Sequence, residues 1–566
     1  MKFSANIEFS LRALVCAVLL GPSAVLAQQQ NGSSSAPLPA SLLVNKAIAA
    51  LGGKEALESV TNVIYQVANL FRLRTTMENY DFYIADTVVA VSGNQNVTFS
   101  YPADSSPILQ RIDRNWQLSE EWTFASPFAD PRSFSLVIRG GNNGYACYTE
   151  GNNNVILPAT ATQGYVDAGL TSYLVLRATK MSPRLLLQVL ADNDTTSLLI
   201  TLREGVQSPA LTSPALGLTV IFDAETYLPY IIRTVEDNAL FGSSNRDLQV
   251  YNYTTVGGVK FPTRFTTTYQ NAVTEDFKIT EITLNPQLPS NFFDGLPANE
   301  VNGKPEAPTP QQNYTNAELG EWSDNMLYSG QYTGTLSKLS ATHPAPGLDK
   351  VWRLVFEDSP GYTQLVIEFD HAIFVFDSPP HQSELVIEWV RQNLGKPVTH
   401  LWPSHHHHDH AYGTQDFINI GAKLVVPEVA KLFWSALPNA TIISYSEASP
   451  FIYRDSTTQL RLVWHEHSTH AEDQGYAMVT TACPKADDLV VIFEADTWNP
   501  GLASDSLDEY EARTWLDQAL SDGLSVNAIV APAHGNVANL TDLINYLEFP
   551  YPNLTTTDWK FGGPLC

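Results

Sequence analysis

Cysteine is scarce in this chain: four residues in 566, at Cys16, Cys147, Cys483 and Cys566. A disulfide framework therefore cannot hold the fold, and no cysteine cluster has zinc-ligand spacing. Basic residues are also few, 32 Lys and Arg against 59 Asp and Glu, for a formal net charge of −27. With no basic stripe to interrupt that field, nucleic acid and anionic membrane surfaces are poor partners, and a neutral or cationic small molecule suits it better. Past the N-terminus no apolar run reaches the ~20 residues of a spanning helix. The Gly-x-Ser-x-Gly elbow of serine hydrolases is absent, which removes the obvious rival enzyme class. What is plentiful is core-forming side chain, 44% hydrophobic and 11% aromatic. Because a single core stops growing near ~250–300 residues, a chain of this length calls for at least two domains.

The N-terminus reads as an export signal. A basic stretch to Arg12 precedes the apolar run Ala13 to Leu20, and Val25-Leu26-Ala27 offers small residues for cleavage after Ala27. Eight Asn-x-Ser/Thr sites (Asn31, Asn96, Asn193, Asn252, Asn313, Asn439, Asn539, Asn553) agree with passage through a glycosylating lumen. The expected product is a secreted glycoprotein. Once Cys16 is removed, the three remaining cysteines permit one disulfide and leave one thiol over.

An α+β chain of two domains is expected. Leu43, Ala47, Ile48 and Leu51 recur at helical spacing and stop at Gly52-Gly53, a helix C-terminus. From about 62 to 290 the pattern changes to short alternating runs, such as Tyr80 to Ile84, Thr196 to Thr201 and Leu218 to Phe222. These predict a large antiparallel sheet, with Gly257-Gly258 as a hairpin turn. Ala50 to Leu57 and Val256 to Pro262 resemble pieces of bacterial lipoprotein-carrier domains, which implies a curved sheet with an apolar concave face for a greasy ligand or for packing. The prolines between Pro297 and Gln312 mark a stiff, exposed linker. The expected segments are a signal peptide 1–27, a β-rich domain 28–296, a linker 297–312 and a second domain 313–566.

The chemistry lies beyond the linker. An apolar strand, Val398 to Trp402, runs into Pro403-Ser404-His405-His406-His407-His408-Asp409-His410. Residues two apart share a face in an extended segment, so His405 and His407 can grip one metal while the chain turns Asp409 and His410 toward a second. Neutral imidazoles and a carboxylate suit zinc. The strand Leu489 to Phe493 ends in Glu494-Ala495-Asp496, and Ala528 to Ala531 ends in Pro532-Ala533-His534-Gly535. At one sheet edge these add a carboxylate and an imidazole to the cluster. The segment Val463 to His470 supplies three further histidines, His465, His467 and His470. The first two are two apart and could face the site from a strand end, whereas His470 is followed by a short turn and the apolar strand Tyr476 to Val479. The helix expected from Ser506 to Ser521 reads as core packing.

Taken in order, His-x-His-x-Asp-His, a later histidine, a strand-end aspartate and a final His-Gly resemble the metallo-β-lactamase superfamily over about residues 325–566. The resemblance implies an αββα sandwich and two Zn²⁺ ions. It implies His405, His407 and His470 on the first ion, Asp409, His410 and His534 on the second, and Asp496 bridging both; His467 is the runner-up to His470. Asp377, at the end of the strand Ala372 to Phe376, matches an acidic position that orients ligands. Tyr412 and Ser404 depart from the family's usual residues without removing a ligand.

The resulting expectation is a secreted binuclear zinc hydrolase that opens an ester, lactone, thioester or amide of a small neutral metabolite. A metal-bridging hydroxide would be the nucleophile, and Asp409 and Asp496 the catalytic carboxylates. Two alternatives stand beside it: an iron-dependent oxidoreductase on the same fold, and a secreted ligand-binding protein with a vestigial metal site.

Overall fold

The alternating runs of the first half pair into one antiparallel sheet. In a computed structural model of the chain, fourteen strands between Asn62 and Leu284 form it, with Gly164–Tyr165 at one edge and Thr196–Thr201 at the other. The structure describes residues 36–547 except 68–69, 75–87, 103–107, 119–131, 142, 152–163, 167, 203–204, 239–241, 270–271, 298–313, 316–318, 320–333, 486–487, 503–505 and 522–527. The expected export signal, the run Tyr80 to Ile84 and nearly all of the expected linker lie outside the described residues. Leu38–Cys566 make up one compact unit.

The helix read from Leu43 to Leu51 spans Ala40–Ala50, and a second short helix, Lys54–Glu58, follows Gly52-Gly53. The turn at Gly257-Gly258 joins the strands Gly242–Val256 and Val259–Tyr269, and both glycines have positive φ (58° and 84°), as a tight hairpin turn demands. Helix end and hairpin touch. Gly52 has φ 120°, and a Cβ there would lie 2.2 Å from Gly258 O, so no larger residue fits while Lys260 N donates to Leu51 O at 2.9 Å.

The sheet's apolar face is covered by its own helices. Leu43, Val44 and Ile48 of the first helix, Tyr173 and Leu174 of Ala168–Met181, and Leu185 and Val189 of Leu185–Ala191 share one buried cluster with Val97, Phe99, Ile112 and Phe265 of the strands. Each fully buried side chain of this size stabilises the fold by about 1.5–3 kcal/mol.

Residues 339–546 follow a different plan, with two sheets and several helices. One sheet has seven strands in chain order, Leu339–Thr342, Val351–Phe356, Ser359–Glu368, Ile373–Phe376, His400–Trp402, Lys423–Pro427 and Ile442–Tyr445. Its last four strands run parallel. The other sheet has six, Phe451–Arg454, Thr458–Trp464, Gly475–Thr481, Val491–Phe493, Ile529–Val530 and Ala538–Asn539, of which only Val491–Phe493 and Ile529–Val530 pair in parallel.

Three apolar clusters follow from strands buried on both faces. One draws Leu365, Phe374, Phe376 and Trp402 from the first sheet and Leu460, Val479 and Phe493 from the second. Another joins Val375, Leu401 and Val426 to Val386 and Trp389 of the helix Ser383–Leu394, which stops at Gly395 with φ 63°. A third joins Met478, Ile492 and Val530 to Trp515 and Leu516 of the helix Ser506–Ser521. Cys147 is buried and Cys483 exposed, with no disulfide between them. Among the described residues no helix is long and apolar enough to cross a membrane.

Candidate metal centre

The chain reverses or bends just beyond the carboxyl ends of the parallel strands, and the chemistry collects there. Asp377 follows Ile373–Phe376, His405 to His410 follow His400–Trp402, Asp496 follows Val491–Phe493, and His534 follows Ile529–Val530. Asp377 and Asp496 both sit in the left-handed region, φ 62° and 65°, which aspartate tolerates better than most side chains. Residues 404–407 form bends rather than the extended run expected, and the short helix His408–Ala411 then turns Asp409 and His410 inward.

Two groups of converging donor atoms result. His405, His407 and His470 form one; Asp409, His410, Asp496 and His534 form the other. Within each group, one ligand atom per residue lies within 4.8 Å of all the others. Asp496 touches both: its Oδ2 is 3.5 Å from His405 Nε2, 3.6 Å from His470 Nε2 and 2.8 Å from His410 Nε2, and its Oδ1 is 3.3 Å from His534 Nε2. Asp409 Oδ2 lies 3.2 Å from His410 Nε2 and 3.4 Å from His534 Nε2. His407 Nδ1 and His470 Nε2 are 3.0 Å apart.

The outer nitrogens decide what the inner ones offer. His410 Nδ1 is 2.7 Å from Asp377 Oδ2, and His534 Nδ1 is 2.6 Å from the carbonyl oxygen of Gly361. Both acceptors fix the proton on Nδ1, so the neutral rings turn bare Nε2 lone pairs toward each other, 3.3 Å apart. Around them Asp409 Oδ1 and both Asp496 oxygens are buried without a hydrogen bond of good geometry, as is His405 Nε2. Acceptors facing acceptors in a buried space require a cation. The donor set of imidazole nitrogens and carboxylate oxygens fits zinc or a similar transition-metal ion.

The electrostatics divide the cluster in the same way. Burial, then the neighbouring histidines, hold His405 and His407 well below the ordinary imidazole value, and burial lowers His470. These rings are neutral and ready to ligate. Burial also opposes charge on His410 and His534, but nearby carboxylates outweigh it and raise both, Asp409 and Asp496 foremost for His410 and Asp496 for His534. That end of the site draws positive charge, as a proton or as a metal.

The structure brings His470, not the exposed His467, to the cluster; His465 is buried away from it, with burial lowering its pKa to about 4. The predicted residues His405, His407, Asp409, His410, Asp496 and His534 all converge. Asp377 stands behind His410, its Oδ1 accepting from Ser404 N at 2.7 Å. Several participants were not foreseen. Asp473 Oδ1 lies 2.8 Å from His406 Nδ1, and Glu511 Oε2 lies 3.8 Å from His470 Nδ1, which gives the helix Ser506–Ser521 a contact with the site as well as a core face. Gln474 donates to Ala495 O at 2.6 Å, tying the His470 loop to the Asp496 loop. Burial pushes Glu494 up to about 8, so at neutral pH it adds little negative charge beside Asp496. Only the strand-end pattern of Glu494 was visible beforehand; the others sit far along the chain from what they touch.

No family model matches the sequence, and no curated protein matches it. Solved structures do. A metallo-β-lactamase from Pontibacter korlensis is similar over 37% of this chain and 97% of its own, at 16% identity and a TM-score of 0.28. One from Hirschia baltica is similar over 38% of this chain and 99% of its own, at 16% identity and a TM-score of 0.28.

Proposed function

We propose that the chain is a secreted metal-dependent hydrolase holding two zinc ions, with residues 313–566 as an αββα sandwich behind a separate β-rich domain, 28–296. The observation that carries this reading is the inward set of acceptors from His405, His407, Asp409, His410, His470, Asp496 and His534, whose outer nitrogens at His410 and His534 are already committed. When bound, such ions would supply a hydroxide-generating Lewis acid at neutral pH. The chain's own residues do the rest. Asp377 and Gly361 hold two imidazoles in the required tautomer, and the Asp496 carboxylate spans both groups. Asp409, buried with one oxygen uncommitted, is placed to take a proton from water and pass it to the leaving group. In the overall reaction water adds its oxygen to the carbonyl carbon, the bond to the leaving oxygen, sulfur or nitrogen breaks, and the proton goes to that atom.

A small, neutral, fairly apolar carbonyl compound is the substrate class that the acidic surface favours. Metal analysis of purified protein beside an ester, lactone, thioester and amide panel tests the reading. Two zincs per chain, with turnover lost to a chelator and restored by zinc, is the expected outcome; turnover unchanged by the chelator overturns it. Iron with a redox change would favour the oxidoreductase, and metal without turnover the binding protein. Expressed with its own N-terminus in a eukaryotic host, the protein should appear in the medium, start near Gln28 and lose mass on deglycosylation; a cytosolic product retaining Met1 would refute secretion.

A further inference from the structure

The hairpin strand Ser359–Glu368 carries the Gly361 carbonyl that orients His534, and the next residue is a tyrosine. The ladder is broken at that point. Val355 pairs with Thr363, but Phe356 pairs with Ser359, so Pro360, Gly361 and Tyr362 bulge out of register. Bulges of this kind re-aim side chains, often beside active sites.

The bulge is pinned on both sides. Gly361 O accepts from His534 Nδ1, Thr363 N donates to Ala533 O at 2.8 Å, and Arg353 donates to both Gly535 O at 3.0 Å and Thr363 Oγ1 at 3.1 Å. Tyr362 is therefore fixed relative to the His534 segment. Its ring meets the His534 ring edge to face, centroids 5.5 Å apart. The residue is half-buried, and its phenol lies close enough to Asp409, His410 and Asp496 to feel their charges. A rigidly held phenol O–H beside a centre of acceptors is what stabilisation of developing negative charge calls for.

We propose that Tyr362 is a catalytic residue that donates a hydrogen bond from its phenol to the substrate's carbonyl oxygen, strengthening as that oxygen gains negative charge. The proposal rests on the hydrolase reading and adds one donor to it; the phenol keeps its proton throughout, so no bond is made or broken at Tyr362. Its substrate must present the carbonyl oxygen on the His534 side of the site.

Tyr362→Phe removes the hydroxyl and leaves the ring packed on His534. With the best substrate of the panel, kcat should fall about 100- to 1,000-fold, as for loss of one oxyanion donor, while KM and metal content stay unchanged. An unchanged kcat, an effect confined to KM, or loss of metal from the variant would each overturn the assignment. A second measurement needs no turnover: calorimetric binding of benzoate, whose carboxylate mimics the charged oxygen, to the zinc-loaded protein. The variant should bind about 10-fold more weakly; equal affinity in the two proteins, or no binding by either, overturns the proposal. Failure of the hydrolase reading gives a different signature, wild-type turnover indifferent to chelator, and leaves the benzoate comparison readable.

Discussion

Buried charge is handled in opposite ways in the two halves of the molecule. In the fourteen-stranded sheet, cations meet carboxylates: Arg177 with Glu275 at 2.7 Å, Arg246 with Glu236 at 2.9 Å and Arg233 with Asp247 at 2.7 Å. Lys180, buried against Thr234 Oγ1 and the Arg246 carbonyl, is lowered by burial to about 8. Beyond the ends of strands of the two smaller sheets, Asp409 and Asp496 meet imidazoles, and among the described residues their ion pairs are all with histidine. Burial alone thus does not mark a site. Internally matched charge builds structure, whereas converging acceptors without a matching fixed cation leave room for one from outside.

Breaking each kind of arrangement should give distinct results. Asp496→Ala removes the carboxylate shared by both groups, so the variant should lose bound metal and essentially all turnover; metal analysis with retained turnover would contradict this. His470→Ala should lose roughly one metal per chain and nearly all turnover, while His467→Ala, at an exposed ring, keeps both metals. The reverse pattern would reassign the ligand. Asp377→Ala leaves every inward donor in place and removes the acceptor of the His410 outer nitrogen and of Ser404 N, so it should cost about 10- to 100-fold in activity or metal affinity. A loss as complete as that of Asp496→Ala would make Asp377 a ligand in its own right. Glu236→Ala should leave kcat and metal content unchanged but destabilise the protein by about 3–5 kcal/mol, because it removes the carboxylate paired with the buried Arg246 guanidinium. Denaturant unfolding beside a turnover assay reads both; a drop in kcat with unchanged stability would contradict it.

The same contrast explains what was legible in the amino-acid order. His405 to His410 are contiguous and preceded by an apolar strand, so a shared site could be read from their spacing, although the bends at 404–407 could not. His470 was separable from His467 only through the family resemblance, in which a ligand histidine precedes a short turn and a returning apolar strand. The strands Thr196–Thr201 and Leu218–Phe222 and the Gly257-Gly258 hairpin could be read from alternation and turn chemistry. Strand order across the sheet could not, since alternation gives a strand its faces but not its neighbours. Gly361, Tyr362, Asp473 and Glu511 were invisible for a related reason. Each reaches the centre through a pairing between distant segments, and nothing in its own neighbourhood sets it apart from an ordinary strand, loop or helix residue. The bulge that displaces Tyr362 arises from register, which appears only once two strands are paired.

Asp409 and His410 follow a strand of the seven-stranded sheet, Asp496 and His534 strands of the six-stranded one. A cation gripped by all four would act as a removable cross-link between segments far apart along the chain. Unlike a covalent bridge it would act on the folded state alone, because the unfolded chain does not hold the four donors together, in a protein with no disulfide among its described residues. Metal loading and resistance to unfolding are then thermodynamically linked, and the midpoint of denaturation should climb with the logarithm of free zinc once zinc exceeds the dissociation constant of the site.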